Sequence, residues 1–402
     1  MNIMEEYHRQ VKKYLPGGVH HNFDFPWREV SVHSVRSKDT RIWDMNGTEY
    51  LDLFAYRGSM ILGHGNKEHN SMLRDVMESN MCVSHTNLEL ETMELLHEIF
   101  PMAEMMRFGV SATMLLQDAI RLSKSYTGRN KIVRFEHQYL ESNDGEESYV
   151  VAWNSLEALE QLLKQHENEI ACVLMEPICI SYGSIEPEQG YLKAVRRICD
   201  GYGVLLVFDE VNTGIRAGYG GAQNLYDVKA DLMVLGKAIG GGMPVGVLAG
   251  KKEIMCLYQR QKVIQGGDHN GYPLGMAAIM TTLKLLFQGA QKNYQLMNKQ
   301  AQKLKDITLE VSKETDFPII IQGPALCCSI HCSSRKLETP SDYTQKILAY
   351  DVFLNGCLQR NGILVETPLT IYSNLSLSDS DLELYRNGLR KAVEEAKEIL
   401  EE

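Results

Sequence analysis

The chain has 402 residues, too many for one small domain and enough for two domains with a sizeable core. Hydrophobic residues make up 44% and charged residues 23%, the composition of an ordinary globular protein, and a formal net charge of -11 argues against a general nucleic-acid or anionic-membrane surface. The N-terminal MNIMEEYHRQ does not read as a signal peptide and no apolar run approaches the length that spans a bilayer, so a cytoplasmic protein is expected.

In chain order, residues 1 to 55 hold turn signals (LPGG at 15 to 18, MNGT at 45 to 48) around the strand-like runs TRIWDM and EYLDLF. From about residue 71 the spacing of Leu73, Val76, Met77 and Met81 is helical, as is that of Met93, Leu96 and Phe100. The middle alternates apolar strands (170 to 177, 204 to 208, 231 to 236, 245 to 250) with helices, one of them ended by Gly203. Such alternation predicts a mostly parallel sheet covered on both faces. Residues 273 to 312 read as long helix. In the closing helix, about 380 to 400, Leu382, Leu384, Tyr385, Leu389, Val393 and Ala396 are expected to share a side. The expected fold is α/β: a large domain over 56–285 and a smaller α+β domain built from 1–55 and 286–402.

Nine scattered cysteines do not form a disulfide framework. Cys327, Cys328, His331 and Cys332 invite a metal reading, but no second pair at zinc spacing accompanies them. The stretch is expected to be a half-buried strand in which cysteines act as small apolar residues, with no metal bound.

The segment VLLVFDEVNTG ends an apolar strand in Asp209, and the next strand-like run ends in GKAIGGGMPVG, which places Lys237 comparably. In open α/β sheets ligands sit beyond the carboxyl ends of strands, so both side chains are expected to face one crevice. Gly240, Gly241 and Gly242 are expected to clear side-chain bulk around the lysine. A lysine can form an imine with an aldehyde cofactor, while a carboxylate keeps the cofactor's ring nitrogen protonated and makes it an electron sink.

FDEVNTGIR, GGAQ at 220 to 223 and LGKAIGGGMPVGVLAGKKEIM resemble the class III aminotransferase family, most of all its glutamate-1-semialdehyde 2,1-aminomutase branch. The likeness continues through LPGGV, MILGH, AIRLSKSYTGR, MEP and GGDHNGYPLGMAA. It implies fold-type I of the pyridoxal-phosphate enzymes, pyridoxal 5'-phosphate as cofactor, and a homodimer with active sites at the subunit interface. On the matching positions it implies Lys237 as the Schiff-base lysine and proton shuttle, and Asp209 as partner of the pyridine nitrogen. Val211 would cover one ring face and Tyr139 the other. Ser111, Ala112 and Thr113 would form the phosphate cup, where backbone N–H groups at a helix start bind an oxyanion; alone, the same residues read as a helix cap.

Four positions depart from the family pattern. The Ser-Gly-Thr-Glu-Ala run is Ser111-Ala112-Thr113-Met114-Leu115, and the aromatic-His-Gly motif is Tyr139-Leu140-Glu141. The Gly-Thr pair that reaches the partner subunit's phosphate is Gly267-Asp268. A carboxylate about 4 Å from a phosphate costs about 4 kcal/mol per charge pair at an effective dielectric near 20. Asp268 must therefore turn away, be protonated, be balanced by a cation such as His269, or belong to a reorganised site. On the substrate side, Asp24 replaces the arginine that follows PGGV in the aminomutase branch, and Arg57 replaces a tryptophan. Arg57 is expected to recognise an anionic substrate group, or else to sit in a salt bridge.

These features predict ping-pong amino transfer between an amino acid or amine and a carbonyl compound. Intramolecular amino transfer or racemisation is the alternative, and a degenerate non-catalytic relative a further one. Partners beyond small molecules and a second copy, whether nucleic acid or membrane, are not expected.

Overall fold

The structure is a computed structural model that describes residues 3–18, 20, 32–81, 85–138, 148–366 and 369–401. Near the N-terminus, β1 (Ser34–Lys38), β2 (Arg41–Asp44) and β3 (Glu49–Asp52) form an antiparallel meander. The central sheet uses β4 (Met105–Gly109), β5 (Lys131–Phe135), β6 (Ser148–Val151), β7 (Ile170–Met175), β8 (Leu205–Asp209), β9 (Leu232–Leu235) and β10 (Gly246–Gly250). Their spatial order is β4-β10-β9-β8-β7-β5-β6. β10 runs antiparallel to both neighbours and the other pairs are parallel.

The apolar runs that predicted this sheet are buried because both faces are covered. Alternation along each strand sends Val173, Met175, Leu206, Phe208, Met233 and Leu235 into one core. Cys172, Leu174, Leu205, Val207, Leu232 and Val234 enter a second core, packed by Leu115, Leu116, Ala119 and Ile120 of the helix Ala112–Thr127. Asp209 continues the row Leu205–Val207, so strand periodicity delivers it to the side of the sheet where that helix begins.

Towards the C-terminus, β11 (Ile320–Gln322), β12 (Cys327–His331), β13 (Ile363–Leu364) and β14 (Thr370–Tyr372) complete the strands described. β11, β12 and β14 make an antiparallel sheet. β13 pairs in parallel with β3 (Ile363 with Leu51, Leu364 with Asp52), so segments from the two ends of the chain share one sheet. β12 is buried at every residue rather than half-buried, because the sheet is covered on both sides by core.

The helix Pro273–Thr315 joins the first of these cores to a third one around β12: Ile279, Leu283 and Leu286 enter the first, and Leu304, Ile307 and Val311 the third. Positive φ at Gly289 (64°) and Gln291 (59°) interrupts it, a few residues beyond the expected domain boundary at 285/286. The closing helix Asp379–Glu401 buries Leu382, Tyr385, Leu389, Val393 and Ala396, but Leu384 is 49% exposed. Two residues beyond Leu382 is about 200° around a helix, so Leu384 points away from the core. No described helix is long and apolar enough to cross a membrane.

Candidate active site

The carboxyl ends of three neighbouring parallel strands bring acids and a lysine together. Asp209 ends β8, Glu176 follows β7, and Lys237 follows β9 after the single residue Gly236. Lys237 takes a left-handed conformation (φ 45°), which a non-glycine residue adopts only when its surroundings hold it there. Its Nζ donates to Asn212 Oδ1 at 2.7 Å and lies 5.9 Å from the centre of the Tyr372 ring. Desolvation lowers the lysine pKa from its ordinary value, against the opposing pull of Glu366, Glu176 and Asp209. A depressed pKa makes the neutral, nucleophilic amine more available.

Asp209 is buried, and the Val211 N–H donates to its Oδ1 at 3.0 Å. Burial first, and the neighbouring Glu176 carboxylate second, push its pKa up to about 7. Glu176 is itself held in place. Its backbone N–H donates to Gln138 Oε1 at 3.0 Å, and its Oε2 accepts the Ser181 N–H at 3.1 Å.

The helix Ala112–Thr127 starts beside this group. Ser111 is its N-cap, with extended backbone (φ -141°, ψ 122°) and no side-chain capping bond, so the hydroxyl is not spent as a cap. Gly236 explains the close approach: a Cβ there would sit 2.8 Å from the Ala112 Cβ and 3.2 Å from Val211 Cγ1. Ala112 and Val211 thus pack together at Gly236, next to Lys237 and Asp209, with Ser111 and Thr113 on either side of Ala112 at the helix start.

The triple glycine does something other than what its position predicts. A Cβ at Gly240 would meet Val245, one at Gly241 would meet Thr282 and His69, and one at Gly242 would meet the Met60 sulfur at 2.4 Å. Gly241 seats the loop against the helices that carry His69 and Thr282, Gly240 folds it onto its own Val245, and Gly242 admits Met60; Gly236 is the one that lets Ala112 and Val211 approach.

Arg57 lies in a turn with successive left-handed residues: Ala55 (φ 46°), Tyr56 (φ 49°), Arg57 (φ 55°) and Gly58 (φ 82°). Each of the three non-glycine residues costs about 1–2 kcal/mol in that conformation. The turn presents Arg57 to Glu366, whose Oε1 accepts from Nη1 at 2.6 Å. Gly58 at its end packs on Tyr372, where a Cβ would come within 2.6 Å of the ring. Arg216, buried, donates to the carbonyls of Gly58 (3.1 and 2.7 Å), Leu326 (2.6 Å) and Ser373 (2.8 Å).

Asp268 is exposed on the loop before Tyr272. Tyr139 and Asp24 lie outside the described residues. Among the described residues no group of three or more His, Cys, Asp or Glu side chains could hold a metal ion. His331 is engaged instead by Asp351 (2.8 Å from Nδ1) and by the Gly183 carbonyl (2.9 Å from Nε2).

The family model for aminotransferase class-III matches residues 26–146 and 140–381. A glutamate-1-semialdehyde 2,1-aminomutase from Sulfurihydrogenibium is 35% identical, over 98% of this chain and 98% of its own length. The chain belongs to the class III aminotransferases. Among solved structures, an omega-transaminase from Sphaerobacter thermophilus superposes with a TM-score of 0.92 at 25% identity, covering 98% of each chain. A glutamate-1-semialdehyde aminomutase from Pseudomonas aeruginosa gives a TM-score of 0.87 at 20% identity, over 98% of this chain and 94% of its own.

The cofactor of this aminotransferase is pyridoxal 5'-phosphate, and the residues present fit it. A buried carboxylate with a raised pKa suits a cationic ring N–H. A desolvated amine on the next strand suits an aldehyde, and an N-cap serine that spends no hydroxyl on capping suits a phosphate. Asn212, Glu176, Glu366, Arg216 and Tyr372 also line or brace this site and were not singled out from the sequence. Asn212, Arg216 and Glu176 sit inside the quoted FDEVNTGIR and MEP motifs, so a signal was present. Glu366 and Tyr372 arrive from the C-terminal segment with no local motif.

Proposed function

We propose that this class III aminotransferase carries pyridoxal phosphate on Lys237 and moves an amino group between a donor amine or amino acid and a carbonyl acceptor. The observation that carries the reading is the placement of Lys237 and Asp209 at the carboxyl ends of adjacent parallel strands. The bound cofactor supplies an aldehyde for amines and a protonated ring that accepts the electron pair of a broken Cα bond. Lys237 Nζ would take the proton from the substrate Cα and return it across the transferred nitrogen, on the cofactor's side, a task its lowered pKa supports. Asp209 holds the proton on the ring nitrogen. Val211 covers one ring face and Tyr139 the other, while Ser111, Ala112 and Thr113 hold the phosphate. Arg57 orients an anionic group of the substrate, and Asp24 stands where an aminomutase-type arginine would otherwise bind it.

A homodimer completes the site in this reading, with Asp268 on the loop that faces the partner's phosphate and its carboxylate turned away, protonated, balanced by a cation such as His269, or part of a reorganised site. Tyr56, Met114 and Ile264 support it: they are large apolar side chains that are 64%, 57% and 77% exposed. A second copy would cover them. The eight cysteines among the described residues are all free, which suits a reducing, cytoplasmic setting.

The relatives named glutamate-1-semialdehyde 2,1-aminomutase favour a second reading, intramolecular transfer on one substrate. Reconstituted protein should show a visible absorption band, absent in Lys237→Ala. A panel of L-alanine, L-glutamate, β-alanine and benzylamine should bleach it, and an added keto acid should restore it. Turnover of a single amino-aldehyde without an acceptor would favour the second reading. A colourless protein that takes up no cofactor would defeat both.

A further inference from the structure

Asp52 sits beneath the left-handed turn that presents Arg57. Its Oδ1 accepts the N–H groups of Phe54 (3.0 Å) and Ala55 (2.9 Å), the two residues that lead the chain into positive φ. Its Oδ2 lies 2.6 Å from His64 Nε2. His64 is tied back to the same region, because its backbone exchanges N–H and C=O bonds with Asp39 at 2.8 Å each way. Asp52 is almost wholly buried at the end of β3, where the parallel pairing with Leu364 of β13 fixes its backbone. The result is a rigid carboxylate that uses both oxygens on one irregular stretch.

We propose that Asp52, oriented by His64, is a positioning residue for substrate recognition: it enforces the left-handed turn Ala55–Gly58 and thereby aims Arg57 into the crevice. Three non-glycine residues in succession do not take positive φ unless their surroundings over-determine it. The far end of the turn is fixed by Arg216 on the Gly58 carbonyl and by Tyr372 against Gly58. The near end is fixed by Asp52. With both ends pinned, Tyr56 points outward and Arg57 meets Glu366 at 2.6 Å. Release of the near end lets residues 55 to 57 relax to negative φ, which re-aims the Arg57 side chain while Asp209, Lys237 and the helix start at Ala112 stay where they are.

This inference rests on Arg57 being the anchor for a donor carboxylate, and the test separates the two. In reconstituted holoenzyme, the half-saturating concentration and the limiting rate of bleaching are measured with L-alanine, L-glutamate and benzylamine. Asp52→Ala should raise half-saturation for the two carboxylate donors by about tenfold or more, the scale of losing a charged hydrogen-bonded contact. Benzylamine and the visible band should not change. Asp52→Asn, which keeps an Oδ1 acceptor, should recover most of the loss. Tyr56→Gly should rescue Asp52→Ala, because glycine enters positive φ without steric cost. In an Arg57→Ala background Asp52→Ala should add nothing. Additive effects, or equal losses with benzylamine, would overturn the positioning role alone. An Arg57→Ala variant with unchanged half-saturation would overturn the anchor and the positioning role together. If Asp52→Ala does not fold, His64→Gln supplies a milder version of the same comparison, with a smaller rise expected for carboxylate donors only.

Discussion

Arg216 donates from both Nε and Nη2 to the carbonyl of Gly58, at 3.1 and 2.7 Å, and so ties the loop after β8 to the turn that bears Arg57. Its Nη1 reaches the carbonyls of Leu326 and Ser373 beside β12 and β14. A fully buried guanidinium balanced by carbonyl oxygens, with the Tyr372 ring 5.2 Å away, is a junction between the loop after β8, the turn at Gly58 and the C-terminal segment. Arg216→Ala would leave these buried acceptors unpaired at once, at a cost of about 3 kcal/mol or more. Denaturant unfolding should show that loss. Arg216→Lys should recover less than half of it, since an ammonium cannot reproduce the planar fork. Equal stability of the alanine variant and the wild type would refute the junction.

Four of the seven central strands, β7 to β10, were legible because each is an apolar run closed by a charged or glycine residue; β4, β5 and β6 were not read, since β4 and β6 are partly exposed and carry no continuous apolar run. Asp209 and Lys237 were legible for the same reason: a strand end is visible in one dimension. The crevice wall was not. Glu366 reaches Arg57 from 309 positions away, and nothing near VETPLT marks a charged site. The turn at Ala55–Gly58 was missed because left-handed residues other than glycine carry no composition signal; AYRG reads like any short loop. The glycines of GKAIGGGM were seen, but their purpose depends on His69, Thr282 and Met60, which only the fold brings near.

Lys237 is proposed to move the proton at the substrate Cα, so its removal should affect chemistry far more than cofactor uptake through the phosphate. Lys237→Ala should lower the limiting rate of amino transfer by about a thousandfold or more, within the range of lost acid–base and nucleophilic catalysis. Added cofactor should still bind, seen as protection against thermal unfolding, but without the wild-type visible band. Retention of that band in the alanine variant would remove Lys237 from the role.

Glu366 and a substrate carboxylate compete for the Arg57 guanidinium. Two carboxylates about 5 Å apart repel by about 3 kcal/mol at an effective dielectric near 20, less where water reaches them. Glu366→Gln should therefore lower the half-saturating concentration of L-glutamate by about fivefold and leave benzylamine unchanged. The concentration dependence of bleaching measures both. Weaker L-glutamate binding in Glu366→Gln would mean that Glu366 supports the anchor rather than competing with it.

Asp209 carries a pH signature that differs between the free and the loaded protein. Its pKa rises from 3.8 to about 7 through burial and the nearby Glu176. In the intermediate range the folded apoprotein therefore holds more protons than the unfolded chain. For a group raised in this way, the stability it contributes is complete below about pH 4 and is lost as pH climbs through about 7. Between about pH 5.5 and about pH 8 the apoprotein should lose on the order of 2 kcal/mol that Asp209→Asn does not lose. Denaturant midpoints of the two apoproteins at each pH give this difference directly. With cofactor bound, a cationic ring nitrogen beside Asp209 removes the reason for the raised pKa, and the extra pH dependence should shrink. A wild-type apoprotein as stable at pH 8 as at pH 5.5, relative to Asp209→Asn, would mean that the carboxylate is not held in a site built for a cation.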